Sequence, residues 1–124
     1  MENKKTVCVI EDNIPIRKLY CTILKKSGLS FSDFGDGMSA YNWLKNNKVD
    51  GIIMDILLPD INGNELVKMV KELELQKNTI ICAITGFAQE QDREKFLNEG
   101  FSYYLSKPIN TSSFIEDVKK MFNL

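Results

Sequence analysis

The sequence predicts a doubly wound α/β fold, a five-stranded parallel sheet with five helices distributed over its two faces. Short β-rich or apolar runs alternate five times with stretches whose apolar residues recur at helical spacing. Two of the runs, Ile52-Ile53-Met54 and Ile80 to Ile84, are continuously apolar, the pattern of strands buried on both faces. Each run ends in carboxylate, hydroxyl, glycine or proline punctuation rather than in a tight hairpin turn, so successive strands need crossover connections. Those crossovers are right-handed and place helices on both faces of the sheet.

The first strand is Thr6-Val7-Cys8-Val9-Ile10. Ile16, Leu19, Tyr20, Ile23 and Leu24 then share a helical stripe, with Pro15 at the start and Gly28 past the end as boundary residues. Leu29 to Phe34 alternates apolar and polar residues and predicts a less buried strand, after which Asp36-Gly37 reads as a turn. Ala40, Trp43 and Leu44 mark a short second helix, with Trp43 assigned to the core, and the strand ending at Asp55 follows. Gly63 opens a helix with Leu66, Val70 and Leu73 on one face. Thr79 to Ile84 is the fourth strand, closed by Thr85. Ala88 to Glu99 predicts a helix stopped by Gly100, and its charged run leaves Ala88, Phe96 and Leu97 as core candidates. A helix so lightly anchored is a candidate moving part. Phe101 to Leu105 is the fifth strand, and Phe114, Ile115, Val118 and Met121 make the last helix amphipathic.

At 124 residues the chain is one domain's length, with no repeat or linker composition. Sixteen basic against 17 acidic residues leave no basic field for nucleic acid and no polybasic membrane patch. The apolar stretch behind Met1-Glu2-Asn3-Lys4-Lys5 is too short for a signal peptide or a membrane span. Cys8, Cys21 and Cys82 are widely spaced and read as buried free thiols in a reducing cytoplasm. There is no histidine, which removes the commonest general base and metal ligand and leaves any chemistry to oxygen groups.

In doubly wound sheets ligands sit beyond the carboxyl ends of the strands. Glu11, Asp12, Asp55, Thr85 and Lys107 all fall just past strand ends. Three carboxylates at one rim raise each other's pKa or demand a cation, and Mg²⁺ suits an all-oxygen set completed by a backbone carbonyl such as that of Leu57. Asp55 then becomes a carboxylate nucleophile toward a phosphoryl group, with Lys107 as countercharge and Thr85 as a hydroxyl donor. Each residue alone has an ordinary reading: Asp55 as a turn or cap, Lys107-Pro108 as loop chemistry, Thr85 as a strand end, Tyr104 as half-buried filler beside Tyr103. Their shared rim position favours function.

Glu11-Asp12 after the first strand, Asp55-Ile-Leu-Leu-Pro-Asp-Ile-Asn-Gly63, Thr85-Gly86-Phe87-Ala88 and Ser106-Lys107-Pro108-Ile109, in this order, resemble the receiver domain of two-component response regulators. The resemblance covers essentially the whole chain. It implies the flavodoxin-like strand order 2-1-3-4-5 of the single-domain chemotaxis regulators. It also implies that Asp55 accepts phosphate from a histidine of a sensor histidine kinase or histidine phosphotransfer protein. Asp12, Asp55 and the Leu57 carbonyl would hold Mg²⁺, and Glu11 would assist through water. Lys107 would contact the phosphoryl group, Thr85 would be the switch hydroxyl, and Tyr104 stands at the family's rotating aromatic position. The surface reporting phosphorylation would be the Ala88–Glu99 helix, the fifth strand and the last helix. Such a domain is a signalling switch rather than a turnover enzyme.

The Glu-Asp order of the acidic pair is a common family variant. Leu57 and Phe87 stand at positions that influence acyl-phosphate hydrolysis in the family, and two apolar side chains there are expected to slow it. A flavodoxin-type cofactor binder would share the architecture, but Glu11-Asp12-Asn13-Ile14-Pro15 would repel a phosphate. A haloacid-dehalogenase phosphatase needs a second Asp where Leu57 stands. A receiver-like module that signals by binding alone would not need the acidic pair and Lys107. Residues 1–124 are expected to be a receiver without an output domain, and the alternative is a receiver from a hybrid histidine kinase or larger regulator.

Overall fold

Strand β1 (Thr6–Ile10) opens the chain's described elements in a computed structural model that describes residues 4–86, 95 and 97–123. It is followed by α1 (Ile14–Lys26), β2 (Ser30–Phe34), α2 (Gly37–Leu44), β3 (Gly51–Asp55) and α3 (Gly63–Lys71). A short 3₁₀ turn (Glu74–Gln76), β4 (Ile80–Thr85), β5 (Tyr103–Ser106) and α4 (Thr111–Phe122) complete the described elements. The five strands form one sheet in the order β2-β1-β3-β4-β5, every pairing parallel, as expected.

Alternate residues of β1, β3 and β4 feed two cores. Cys8, Ile10, Ile52, Met54, Ile81 and Ala83 pack with Leu44 of α2 and Leu66, Val67 and Val70 of α3. Val7, Val9, Ile53, Cys82 and Ile84 pack on the opposite face with Tyr20 and Leu24 of α1 and Phe114, Val118 and Phe122 of α4. This period of two, with both sets buried, is why the central strands read as unbroken apolar runs. The burial of β2, one of the sheet's two edge strands, alternates between half-buried and exposed residues.

Helix boundaries follow local chemistry. The Asn13 side chain caps α1 by accepting the Ile16 amide at 2.9 Å, and Gly28, at φ 85°, ends the turn that follows it. Asp36-Gly37 is a helix start, not a turn. Asp36 caps α2 through the Ser39 amide at 2.8 Å, so the helix begins earlier than its apolar stripe suggests. Leu73 lies past the end of α3 and is half-buried against the first core. Strand β5 starts two residues later than expected. Phe101 is buried in the α2–α3 core ahead of the strand, so its apolar signal comes from docking rather than from pairing.

Of the predicted Ala88–Glu99 helix, Lys95, Leu97 and Asn98 are helical, while residues 87–94 and 96 lie outside the described residues. Leu97, expected in the core, is 42% exposed. Trp43 sits at the core margin with its ring centroid 5.5 Å from that of Phe34. Cys8, Cys21 and Cys82 are buried and free, and burial pushes all three thiols up, that of Cys21 to about 11. No helix among the described residues is long and apolar enough to cross a membrane.

Candidate functional site

The carboxyl ends of β1, β3, β4 and β5 meet at one rim because the register of the parallel strands aligns them. Ile10 pairs with Met54, Asp55 with Ile84, and Thr85 with Ser106. The residues immediately beyond those pairs are therefore neighbours in space. One carboxylate oxygen from each of Glu11, Asp12 and Asp55 lies within 4.8 Å of the others. Glu11 and Asp55 are buried and Asp12 is exposed, so the cluster opens to solvent on one side.

Lys107 enters this cluster from the end of β5. Its Nζ donates to Asp55 Oδ2 at 2.8 Å and to Glu11 Oε1 at 3.1 Å. The Lys107 amide donates to the Thr85 carbonyl at 3.0 Å, so the lysine and buried Thr85 are joined through the backbone. The second oxygen of Asp55, Oδ1, accepts the Leu57 amide at 3.1 Å. Glu11 Oε2 accepts the Asn13 amide at 3.1 Å, so its carboxylate is engaged by a lysine and an amide.

The electrostatics follow from burial. Desolvation, with the neighbouring Asp12 and Asp55 carboxylates, pushes the Glu11 carboxyl up, and the Asn13 amide and Lys107 pull it back only in part. Burial acts to lower Lys107, but its hydrogen bonds and attraction to Asp55 and Glu11 outweigh that and raise it. The donor set, three carboxylates in a chain without histidine, fits a hard divalent cation and suits neither zinc nor copper.

The loop after Asp55 is shaped by contacts that the sequence pattern does not display. Leu57 pairs with Asn62 in an isolated antiparallel bridge, and the Gly63 amide donates to the Ile56 carbonyl at 2.8 Å. A Cβ on Gly63 would lie 2.9 Å from the Ile56 Cα, so the loop closes only over a glycine. Asp60 reaches the start of α2, where its two oxygens accept the Gly37 amide at 2.9 Å and the Met38 amide at 2.8 Å. Burial acts to raise the Asp60 carboxyl, and the Met38 and Gly37 amides overcome this and lower it. Asp60 was not among the candidate residues, since no local spacing links it to amides 23 and 22 positions away.

Leu57, expected to offer a carbonyl, carries a side chain that is 56% exposed beside the cluster, while Phe87 lies outside the described residues. Tyr104 is half-buried against the α2–α3 core, and Tyr103 faces outward at 39% exposure, so the two tyrosines divide as their adjacency requires.

Five parallel strands with an acidic cluster and a lysine at their carboxyl ends define a phosphoacceptor-type signalling fold. Residues 7–119 match the response regulator receiver domain, and the chain belongs to that family. It is 33% identical over 115 residues to the polar-differentiation response regulator DivK of Brucella anthropi, covering 93% of this chain and 94% of that protein. DivK of Brucella ovis is 34% identical over the same length. Among solved structures, the chemotaxis response regulator CheY4 of Vibrio cholerae superposes with a TM-score of 0.90 at 24% identity, over 96% of this chain and 99% of that one. The receiver domain of the sensor histidine kinase PA1611 from Pseudomonas aeruginosa, solved with a magnesium ion in its active site cleft, gives a TM-score of 0.85 at 24% identity, over 98% and 100% of the two chains. Receiver domains are signalling switches that work with histidine kinases or phosphotransfer proteins, and the cluster of Glu11, Asp12 and Asp55 fits their phosphoacceptor site.

Proposed function

We propose that Asp55 takes a phosphoryl group from a phosphohistidine of a sensor histidine kinase or histidine phosphotransfer protein. The observation that carries this reading is Lys107 Nζ at 2.8 Å from Asp55 Oδ2 inside the three-carboxylate cluster. A carboxylate oxygen of Asp55 forms the new O–P bond as the N–P bond of the donor breaks, and the electron pair returns to the imidazole nitrogen, which takes up a proton. Mg²⁺, held by Asp12, Asp55 and the Leu57 carbonyl with Glu11 behind them, supplies charge neutralisation when bound. Lys107 exchanges one carboxylate partner for a phosphoryl oxygen, and the Thr85 hydroxyl donates to another. The donor histidine lies outside residues 1–124, which contain none.

The change at Thr85 and Tyr104 would be read on the surface of β5 and α4 and the helix before them. A groove there is lined by Leu97, Tyr103, Leu105 and Ile109 together with the polar Ser106, Asn110, Ser113, Asp117 and Lys120, a mixed surface that suits a protein partner. We read residues 1–124 as one receiver unit working in the cytoplasm, where buried thiols such as Cys8 and Cys82 stay reduced.

Incubation with acetyl phosphate and Mg²⁺ is expected to add one phosphoryl group to the wild-type chain and none to Asp55→Asn, as measured by intact-protein mass spectrometry. No addition to the wild type, or addition that persists in Asp55→Asn, overturns the assignment. Leu57 and Phe87 are expected to slow hydrolysis of the acyl phosphate. Leu57→Asn and Phe87→Glu should each shorten its lifetime several-fold, and lifetimes unchanged in both would remove their shielding role.

A further inference from the structure

Arg17 lies in α1, and its side chain turns inward, only 19% exposed, to a place where packing alone does not call for a cation. Its planar guanidinium divides between two partners. Nε meets Asp33 Oδ2 of β2 at 3.0 Å, and Nη1 donates to the Glu11 carbonyl at 2.9 Å. The Glu11 amide in turn donates to the Phe34 carbonyl at 3.0 Å. The backbone of Glu11 is thus held at both ends, by β2 through its N–H and by α1 through its carbonyl. That carbonyl belongs to the peptide leading into Asp12, so its direction sets where both carboxylates point.

Space for this contact is left by Gly35. A Cβ there would lie 2.5 Å from Arg17 Nη1, although Gly35 is not among the glycines whose positive φ requires that residue. The glycine serves the guanidinium rather than the turn. A lysine could not substitute for Arg17, because one ammonium cannot stand in for the two separate nitrogens, Nε on Asp33 and Nη1 on the Glu11 carbonyl, that the planar fork holds apart.

We propose that Arg17 is a positioning residue for the Glu11–Asp12 pair, fixing the acidic loop so that its carboxylates converge with Asp55 on a divalent cation. The proposal rests on the reading of this cluster as the receiver's cation-dependent phosphoacceptor site.

Two physical effects have opposite signs. Removing a positive charge near three carboxylates would, by electrostatics alone, tighten cation binding. Losing the hold on the Glu11 carbonyl would weaken it. The test is Mg²⁺ titration by calorimetry, with circular dichroism and thermal melts to confirm folding, on wild type, Arg17→Met, Arg17→Lys and Gly35→Ala. Arg17→Met is expected to bind Mg²⁺ roughly tenfold more weakly, the low end of what losing a partner behind a metal ligand costs. Arg17→Lys should stay close to Arg17→Met. Gly35→Ala, which keeps the charge and the fold but displaces the guanidinium, should also weaken binding. Unchanged or tighter binding in Arg17→Met, with Gly35→Ala at the wild-type value, overturns the role of Arg17. A wild-type chain that binds no Mg²⁺ overturns the reading of the site and this role together. Should Arg17→Met not fold, Gly35→Ala decides alone.

Discussion

Lys107→Met is expected to lower the stability of the metal-free protein at neutral pH by about 2 kcal/mol, below the 3–5 typical of a fully buried pair because the lysine is 28% exposed. Its loss leaves the Asp55 and Glu11 carboxylates, 8% and 1% exposed, facing one another without a cation. Mg²⁺ should restore part of the loss, since it answers the same charge, and Glu11→Gln in the same background should restore another part.

The pH dependence has a definite sign. The folded-state pKa of Glu11 is raised, so the native protein holds a proton that the unfolded chain has released, and stability falls as pH rises above the ordinary glutamate range. The raised pKa of Lys107 has the same sign and acts at the basic end of the scale. Its contribution is fully present below the ordinary lysine value and disappears as pH rises through the folded one. Without Lys107 the cost of ionising Glu11 grows, so the deficit of Lys107→Met should be widest at neutral pH and should narrow in acid. Urea denaturation at two pH values measures this, and a deficit that widens in acid would contradict it.

Gln76→Met is expected to cost about 3 kcal/mol, from several buried groups left unpaired at about 1 kcal/mol or more each. Gln76 is wholly buried. Its Nε2 donates to the Leu44 carbonyl at 2.9 Å and to the Asn47 carbonyl at 2.7 Å, and its Oε1 accepts the Thr79 hydroxyl at 2.7 Å and the Val49 amide at 3.4 Å. One amide group therefore ties the end of α2 and the approach to β3 to the approach to β4. This network stands at the amino ends of the strands, opposite the acidic cluster, so uptake of a phosphoryl group by the folded variant should match wild type. Chemical denaturation together with the acetyl phosphate assay checks both halves. A loss under about 1 kcal/mol would mean that water replaces the amide.

The contrast between these sites shows what the sequence displays. Asp55, Asp12 and Lys107 were legible because each follows an apolar run, and parallel strands bring their carboxyl ends together whatever the helices between them do. The two-core arrangement was legible for the same reason, in the unbroken apolar runs of β3 and β4. Gln76, Arg17 and Asp60 were not. Most of their partners are backbone groups, which exist at every position and so leave no periodic mark. Phe101 misled in the opposite way, since a buried aromatic beside a strand reads as part of it. Asp36 combines turn chemistry with cap chemistry, and only the Ser39 amide distinguishes them.

The Asp60 carboxylate has a mechanical consequence. It grips the first two amides of α2 while standing five residues beyond Asp55 in the same loop. The loop and the helix are joined through one side chain, so a displacement of the loop would be passed to α2 as well. Thr85 leads toward β5 and α4, and Asp60 leads toward α2, on the far flank of the sheet. A partner seated on α2 would feel the state of Asp55 without touching β5.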